Sequence, residues 1–136
     1  MYRVVLDPGV LIAALISARG APRALLRAWL EGAFELLVSS NLLAELGGVL
    51  GRQKFRAYVS ERDARLYVAF LARFATRCPD AASPVRLSLD PDDDYLLALA
   101  QSQGADFLVS GDPHLCQLEK GEPPVLTPRA FLNRLE

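Results

Sequence analysis

Apolar positions along the chain fall into two patterns, short unbroken runs and stretches at helical spacing. The run Tyr2–Leu6 predicts a strand buried on both faces, since a half-exposed strand would alternate with polar residues. It stops at the breaker cluster Asp7-Pro8-Gly9, and a second apolar stretch, Val10–Ile16, follows. Pro22 suits the first turn of a helix, where its missing N–H costs nothing. Leu25, Leu26, Trp29 and Leu30 continue that helix to about Gly32. Glu35–Ser39 reads as a second strand, and Asn41 as the N-cap of a helix running to about Leu50. Residues 52–77 are expected to be mostly helical, with Leu66, Tyr67, Phe70, Leu71 and Phe74 as the apolar stripe and Arg62, Arg65 and Arg73 on another side. Residues 79–84 form a loop. Asp90-Pro91-Asp92-Asp93-Asp94 caps a helix from Tyr95 to about Gln103, because acidic residues suit a helix N-terminus. Phe107–Ser110 is a third strand, Val125–Leu126 a last one, and Pro128–Leu135 a final short helix.

Apolar strands alternating with helices imply an α/β fold, a three-layer α/β/α sandwich around a central parallel sheet. A chain of 136 residues without a Gly- or Ser-rich linker is expected to form one domain, residues 1–136. Its composition, 51% apolar and 23% charged, excludes a disordered chain or a coiled coil. No apolar stretch approaches the roughly 20 residues of a membrane helix, so no membrane partner is expected. The N-terminus lacks the layout of a signal peptide, which points to a cytoplasmic protein. Cys78 and Cys116 have neither zinc-ligand nor disulfide spacing and read as packed thiols. The net charge of −1 conceals an uneven distribution: residues 52–77 carry 7 basic and 2 acidic groups, and residues 78–136 carry 4 and 10. The two segments are either solvated faces or a division of the surface by function.

In an open parallel sheet, ligands bind beyond the carboxyl ends of the strands. Asp7 directly follows the first strand, and Asp112 follows the third after one glycine. The acidic run that contains Asp90, Asp93 and Asp94 belongs to a helix N-terminus at the same edge. Glu45 shares a helical stripe with Leu42, Leu46 and Val49. It is either a compensated buried carboxylate or a residue at the stripe's margin that reaches water. Converging carboxylates repel one another, so some are protonated or a cation neutralises them. Oxygen donors without His or Cys suit Mg²⁺ or Mn²⁺, ions that activate water and stabilise charge on a phosphate.

Five segments together resemble a PIN domain. They are Val4-Val5-Leu6-Asp7 with Val10-Leu11, Gly32 to Ser39, Leu43-Ala44-Glu45-Leu46 with Val49-Leu50, Asp90 to Asp94 with Leu97 to Ala100, and Ala105 to Asp112. The resemblance spans about residues 3–132 and is strongest to the VapC-like toxin components of bacterial type II toxin–antitoxin pairs. It implies an endoribonuclease, a hydrolase of RNA phosphodiester bonds that uses Mg²⁺ or Mn²⁺. On that model Asp7, Glu45, Asp93 and Asp112 are catalytic. Asp7, Asp93 and Asp112 hold the metal, Asp90 supports them, and Asp94 is the alternative to Asp93. Glu45 positions or deprotonates the attacking water. The resemblance also implies an RNA substrate, a cognate antitoxin and a homodimer. One departure is clear: the family usually places Thr or Ser, then Asn, after the first Asp, where this chain has Pro8 and Gly9. Ser39 or Ser110 is a candidate substitute hydroxyl.

Within the basic segment Arg52, Lys54 and Arg56 are the leading candidate RNA-phosphate contacts, backed by Arg62, Arg65 and Arg73. His114, a lone loop histidine, reads as a bystander. A phosphoacceptor receiver domain would need a Lys directly after a later strand, and neither Lys54 nor Lys120 is so placed. A haloacid-type phosphatase would need an acidic residue where Gly9 stands. The remaining alternative is a catalytically weakened PIN-fold module that binds RNA or regulates.

Overall fold

The run after Tyr2 forms the central strand, β1 (Arg3–Leu6), of a five-stranded, all-parallel sheet. In this computed structural model residues 1–81, 94–116 and 122–136 are described. Along the chain follow α1 (Pro8–Ile16), α2 (Ala21–Leu30), β2 (Glu35–Val38) and α3 (Ser40–Leu50). A 3₁₀ turn (Gln53–Ala57), α4 (Glu61–Phe74) and β3 (Thr76–Arg77) come next. Then come α5 (Asp94–Ser102), β4 (Phe107–Val109), α6 (Pro113–Cys116), β5 (Val125–Leu126) and α7 (Pro128–Leu135). The strand order is β3-β2-β1-β4-β5. β1 pairs Val4 with Leu36 on one side and with Phe107 on the other. Helices flank the sheet, so β1, β2 and β4 are buried almost throughout, as their unbroken apolar runs require.

Three boundaries differ from the sequence expectation. Asp7-Pro8-Gly9 is not a breaker loop: Asp7 caps α1, and Pro8 opens it in the first turn. Asn41 is not a cap either. Ser39 is, because β2 passes into α3 with no loop and the Ser39 hydroxyl accepts from the Leu42 N–H at 3.2 Å. Thr76–Arg77 adds an edge strand of two exposed residues, too short and too polar to announce itself by pattern.

The stripe expected on α4 is also corrected. Leu66, Phe70 and Phe74 are exposed, whereas Ala64 and Leu71 are buried and Tyr67, Val68 and Ala72 pack against the core. Tyr67 donates to the Leu11 carbonyl at 2.8 Å, which ties α4 to α1. The inner face of α4 is thus the side that carries Ala64, Tyr67, Val68, Leu71 and Ala72, and Leu66, Phe70 and Phe74 are left outside. Phe70 there contacts Trp29 and Phe74, with ring centroids 6.0 and 4.7 Å apart.

Phe131 of α7 lies fully inside, against the rings of Tyr2, Phe34 and Phe107. Phe131→Ala is expected to cost about 3–5 kcal/mol of unfolding free energy. Phe74→Ala, on the exposed side of α4, should cost less than about 1 kcal/mol. Urea denaturation of the two variants checks this, and equal losses would contradict the assignment of the core.

Candidate active site

Because every strand points the same way, the residues that follow them meet at one edge. Asp7 follows β1, Ser39 follows β2, Ser110 follows β4 and Thr127 follows β5. Asp7 is held there twice: its N–H donates to the Val109 carbonyl at 3.0 Å, and its Oδ1 accepts from the Val10 N–H at 2.8 Å. Asp112 is reached through Ser110, whose hydroxyl accepts the Asp112 N–H at 3.0 Å. Glu45 comes from α3, just over one turn inside the helix. These three carboxylates line one pocket of about 370 Å³, together with Gly9, Leu96 and Gly111 among others. Glu45 is therefore a half-buried group facing the pocket, with a phenol beside it: Tyr95 in the first turn of α5 donates to its Oε1 at 3.0 Å.

Burial pushes the Asp7 carboxyl above the ordinary carboxylate range. The neighbouring Ser110 hydroxyl and the Val10 and Gly9 amides partly oppose the shift, and the charge of Asp112 adds to it. Of the two hydroxyls proposed to replace the missing Thr or Ser, Ser110 is thus the one beside Asp7. Ser39 is committed to capping α3. Gly9 has a steric role, since a Cβ there would lie 3.2 Å from Asp7 Oδ1. Burial, then Glu45, Asp7 and Asp80, drive the Tyr95 phenol far upward, so it stays protonated.

The sequence reading missed Tyr95 and Asp80. Asp80 lies two residues beyond Cys78, and its Oδ2 accepts the Asn41 N–H at 3.0 Å at the start of α3. No periodicity marks either residue. Only the fold brings them to this edge.

The PIN domain family model matches residues 3–114. The chain belongs to the PIN domain family. Solved structures agree on the fold. PAE2754 from Pyrobaculum aerophilum matches with a TM-score of 0.68 and 18% identity, covering 98% of this chain and 89% of that one. A chain of VapBC2 from Rickettsia felis, solved bound to a DNA fragment from their promoter, matches at 0.64 and 13%, covering 92% and 98%. A chain of FitAB bound to the IR36 DNA fragment matches at 0.52 and 17%, covering 92% and 94%. No curated protein matches the sequence.

In this PIN domain Asp7, Glu45 and Asp112 share the pocket, while Asp90 and Asp93 lie outside the described residues. Asp94 is the first residue of α5. Among the described residues, no three His, Cys, Asp or Glu side chains are close enough to hold a metal by themselves. The donor set is nevertheless all oxygen, and no cationic side chain is among the described residues lining the pocket. A hard divalent ion fits that chemistry. His114 is exposed; its backbone N–H donates to Asp112 Oδ1, and it does not line the pocket.

The basic residues are not gathered at the pocket. Arg52 and Lys54 are exposed beyond the far end of α3, about 16 Å along the helix from Ser39. Arg56 is turned inward, with Nη2 donating to the Leu50 carbonyl. Two arginines that the sequence reading did not single out stand at the carboxyl edge. Arg77 donates to the Ser40 hydroxyl at 3.0 Å, and exposed Arg129 follows the pocket-lining Pro128.

A carboxyl whose pKa is higher folded than unfolded loses stability as pH rises between the two values, because the folded state then binds more protons. Asp7→Asn should therefore raise the melting temperature of the metal-free protein at neutral pH. The gain should shrink as pH falls toward about 4, the unfolded carboxylate value. Melting curves against pH check this, and a lower melting temperature at pH 7 would contradict it.

Proposed function

We propose that this PIN domain is a metal-dependent endoribonuclease that hydrolyses RNA phosphodiester bonds with Mg²⁺ or Mn²⁺, as the toxin component of a toxin–antitoxin pair. The observation that carries this reading is the pocket where Asp7, Glu45 and Asp112, distant in sequence, meet at the carboxyl edge of the sheet. Asp7 and Asp112, with Asp93 or Asp94 and with Asp90 in support, would hold the ion. When bound, the ion supplies Lewis-acid stabilisation of charge on the phosphate and lets an anionic backbone approach an acidic site.

The residues of the chain do the rest. Glu45 accepts the proton of the attacking water. Asp7, fixed by the Val10 amide and the Ser110 hydroxyl, presents a carboxylate that needs no reorientation. Arg52 and Lys54 contact RNA phosphates remote from the cleaved bond. The likeness to chains of VapBC2 and FitAB favours a cognate antitoxin as partner. The homodimer is the working state in this reading. One domain, residues 1–136, suffices for this reading.

RNA cleavage with Mg²⁺ or Mn²⁺ tests it. Glu45→Gln is expected to lower kcat by about 10²–10⁴-fold, the usual worth of a general base. Asp7→Asn and Asp112→Asn should both abolish metal-dependent cleavage. Wild-type activity in both Asp variants would remove the mechanism. RNA binding without cleavage by the wild type would instead favour the weakened binding module, a reading prompted by Pro8 and Gly9.

Reversing Arg52 and Lys54 to Glu should weaken single-stranded RNA binding and reduce the salt dependence by about 0.7 per lost phosphate contact. Metal affinity should remain unchanged. Titrations of RNA binding at several salt concentrations check this, and equal loss of RNA and metal binding would count against that contact surface.

A further inference from the structure

The phenol of Tyr95 meets Glu45 across 50 positions of sequence, with Oη donating to Oε1 at 3.0 Å. Both residues are half-buried, and they come from different helices, the middle of α3 and the first turn of α5. We propose that Tyr95 is a positioning residue, whose hydrogen bond holds the Glu45 carboxylate in one orientation in the acidic pocket; its role in the reaction rests on the nuclease reading above.

The chemistry of the contact supports this. A free glutamate side chain samples several rotamers, and a general base must stay within about 2.6–3.2 Å of the proton it takes. The phenol has a single proton and donates it to Oε1 at 3.0 Å, which fixes that oxygen. A lysine or arginine at position 95 would also bind Glu45, but it would bring a positive charge to a site built for a cation. A phenol orients the carboxylate without adding net charge.

A purely structural tie between α3 and α5 would affect stability and leave catalysis alone, so the test separates the two. Tyr95→Phe keeps the ring and its packing and removes only the hydroxyl. It is expected to lower kcat for RNA cleavage by about 10–100-fold, the usual effect of losing an outer hydrogen bond to a catalytic group. KM should stay within about 2-fold. In a Glu45→Ala background the same substitution should lower kcat no further, since the two residues act as one unit. An unchanged kcat, or an equal loss in both backgrounds, overturns the proposal.

A second measurement uses metal-free protein. The ¹³C resonance of the Glu45 carboxyl, identified by its loss in Glu45→Gln, should shift in Tyr95→Phe while those of the other glutamates stay in place. An unmoved resonance also overturns the proposal. A wild type that leaves RNA intact would sink the nuclease reading, and the carboxyl resonance would still decide whether Tyr95 holds Glu45.

Discussion

The direct passage of a strand into a helix is the constraint on which this molecule depends. Asp7, Ser39 and Thr127 each directly follow a strand and cap the next helix, with no further loop between. In a parallel sheet these junctions fall at one edge. There the first N–H groups of α1, α3 and α7 need acceptors, and the positive ends of the helix dipoles collect. A short side chain with an oxygen is the local solution at every junction. At Asp7 the capping side chain is also a carboxylate that lines the pocket, so one residue serves helix initiation and the candidate site together.

Such economy has a cost. Asp7 is burdened by burial and by the charge of Asp112, and the amides and hydroxyl around it do not fully compensate. A folded state that keeps such a group ionised gives up stability, which is the usual relation between a functional pocket and the core that carries it. The wide apolar core, from β1 and β2 to Phe131, supplies the rigidity that keeps these charges close. Pro8 and Gly9 fit the same logic. One starts the helix and the other leaves space beside the carboxylate, while the Ser110 hydroxyl lies beside Asp7 from across the edge.

The solved structures share the architecture at only 13–18% identity, which leaves the chemistry to be argued from this chain's own residues. Tyr95 and Asp80 bring a donor phenol and a further carboxylate to the carboxyl edge of the sheet, and function is argued from such a site and not from the fold alone.

Local sequence determined the parts whose physics is local. A strand buried on both faces must be apolar throughout, so the central strands were legible, as were the helices with strong spacing and, through the parallel direction of the strands, the shared edge of Asp7 and Asp112. The cap of α3 was misplaced by two residues because Ser39 and Asn41 are both good caps, and only the end of β2 chooses between them. The stripe of α4 was misread because the helix carries apolar residues on two sides, and spacing cannot say which side meets α3. Spacing leaves Glu45 open between a margin residue and a compensated one, and the phenol of Tyr95, 50 residues away, decides it. Pairings of that kind are decided by how helices pack on the sheet, a long-range matter of shape that no window of neighbouring residues encodes.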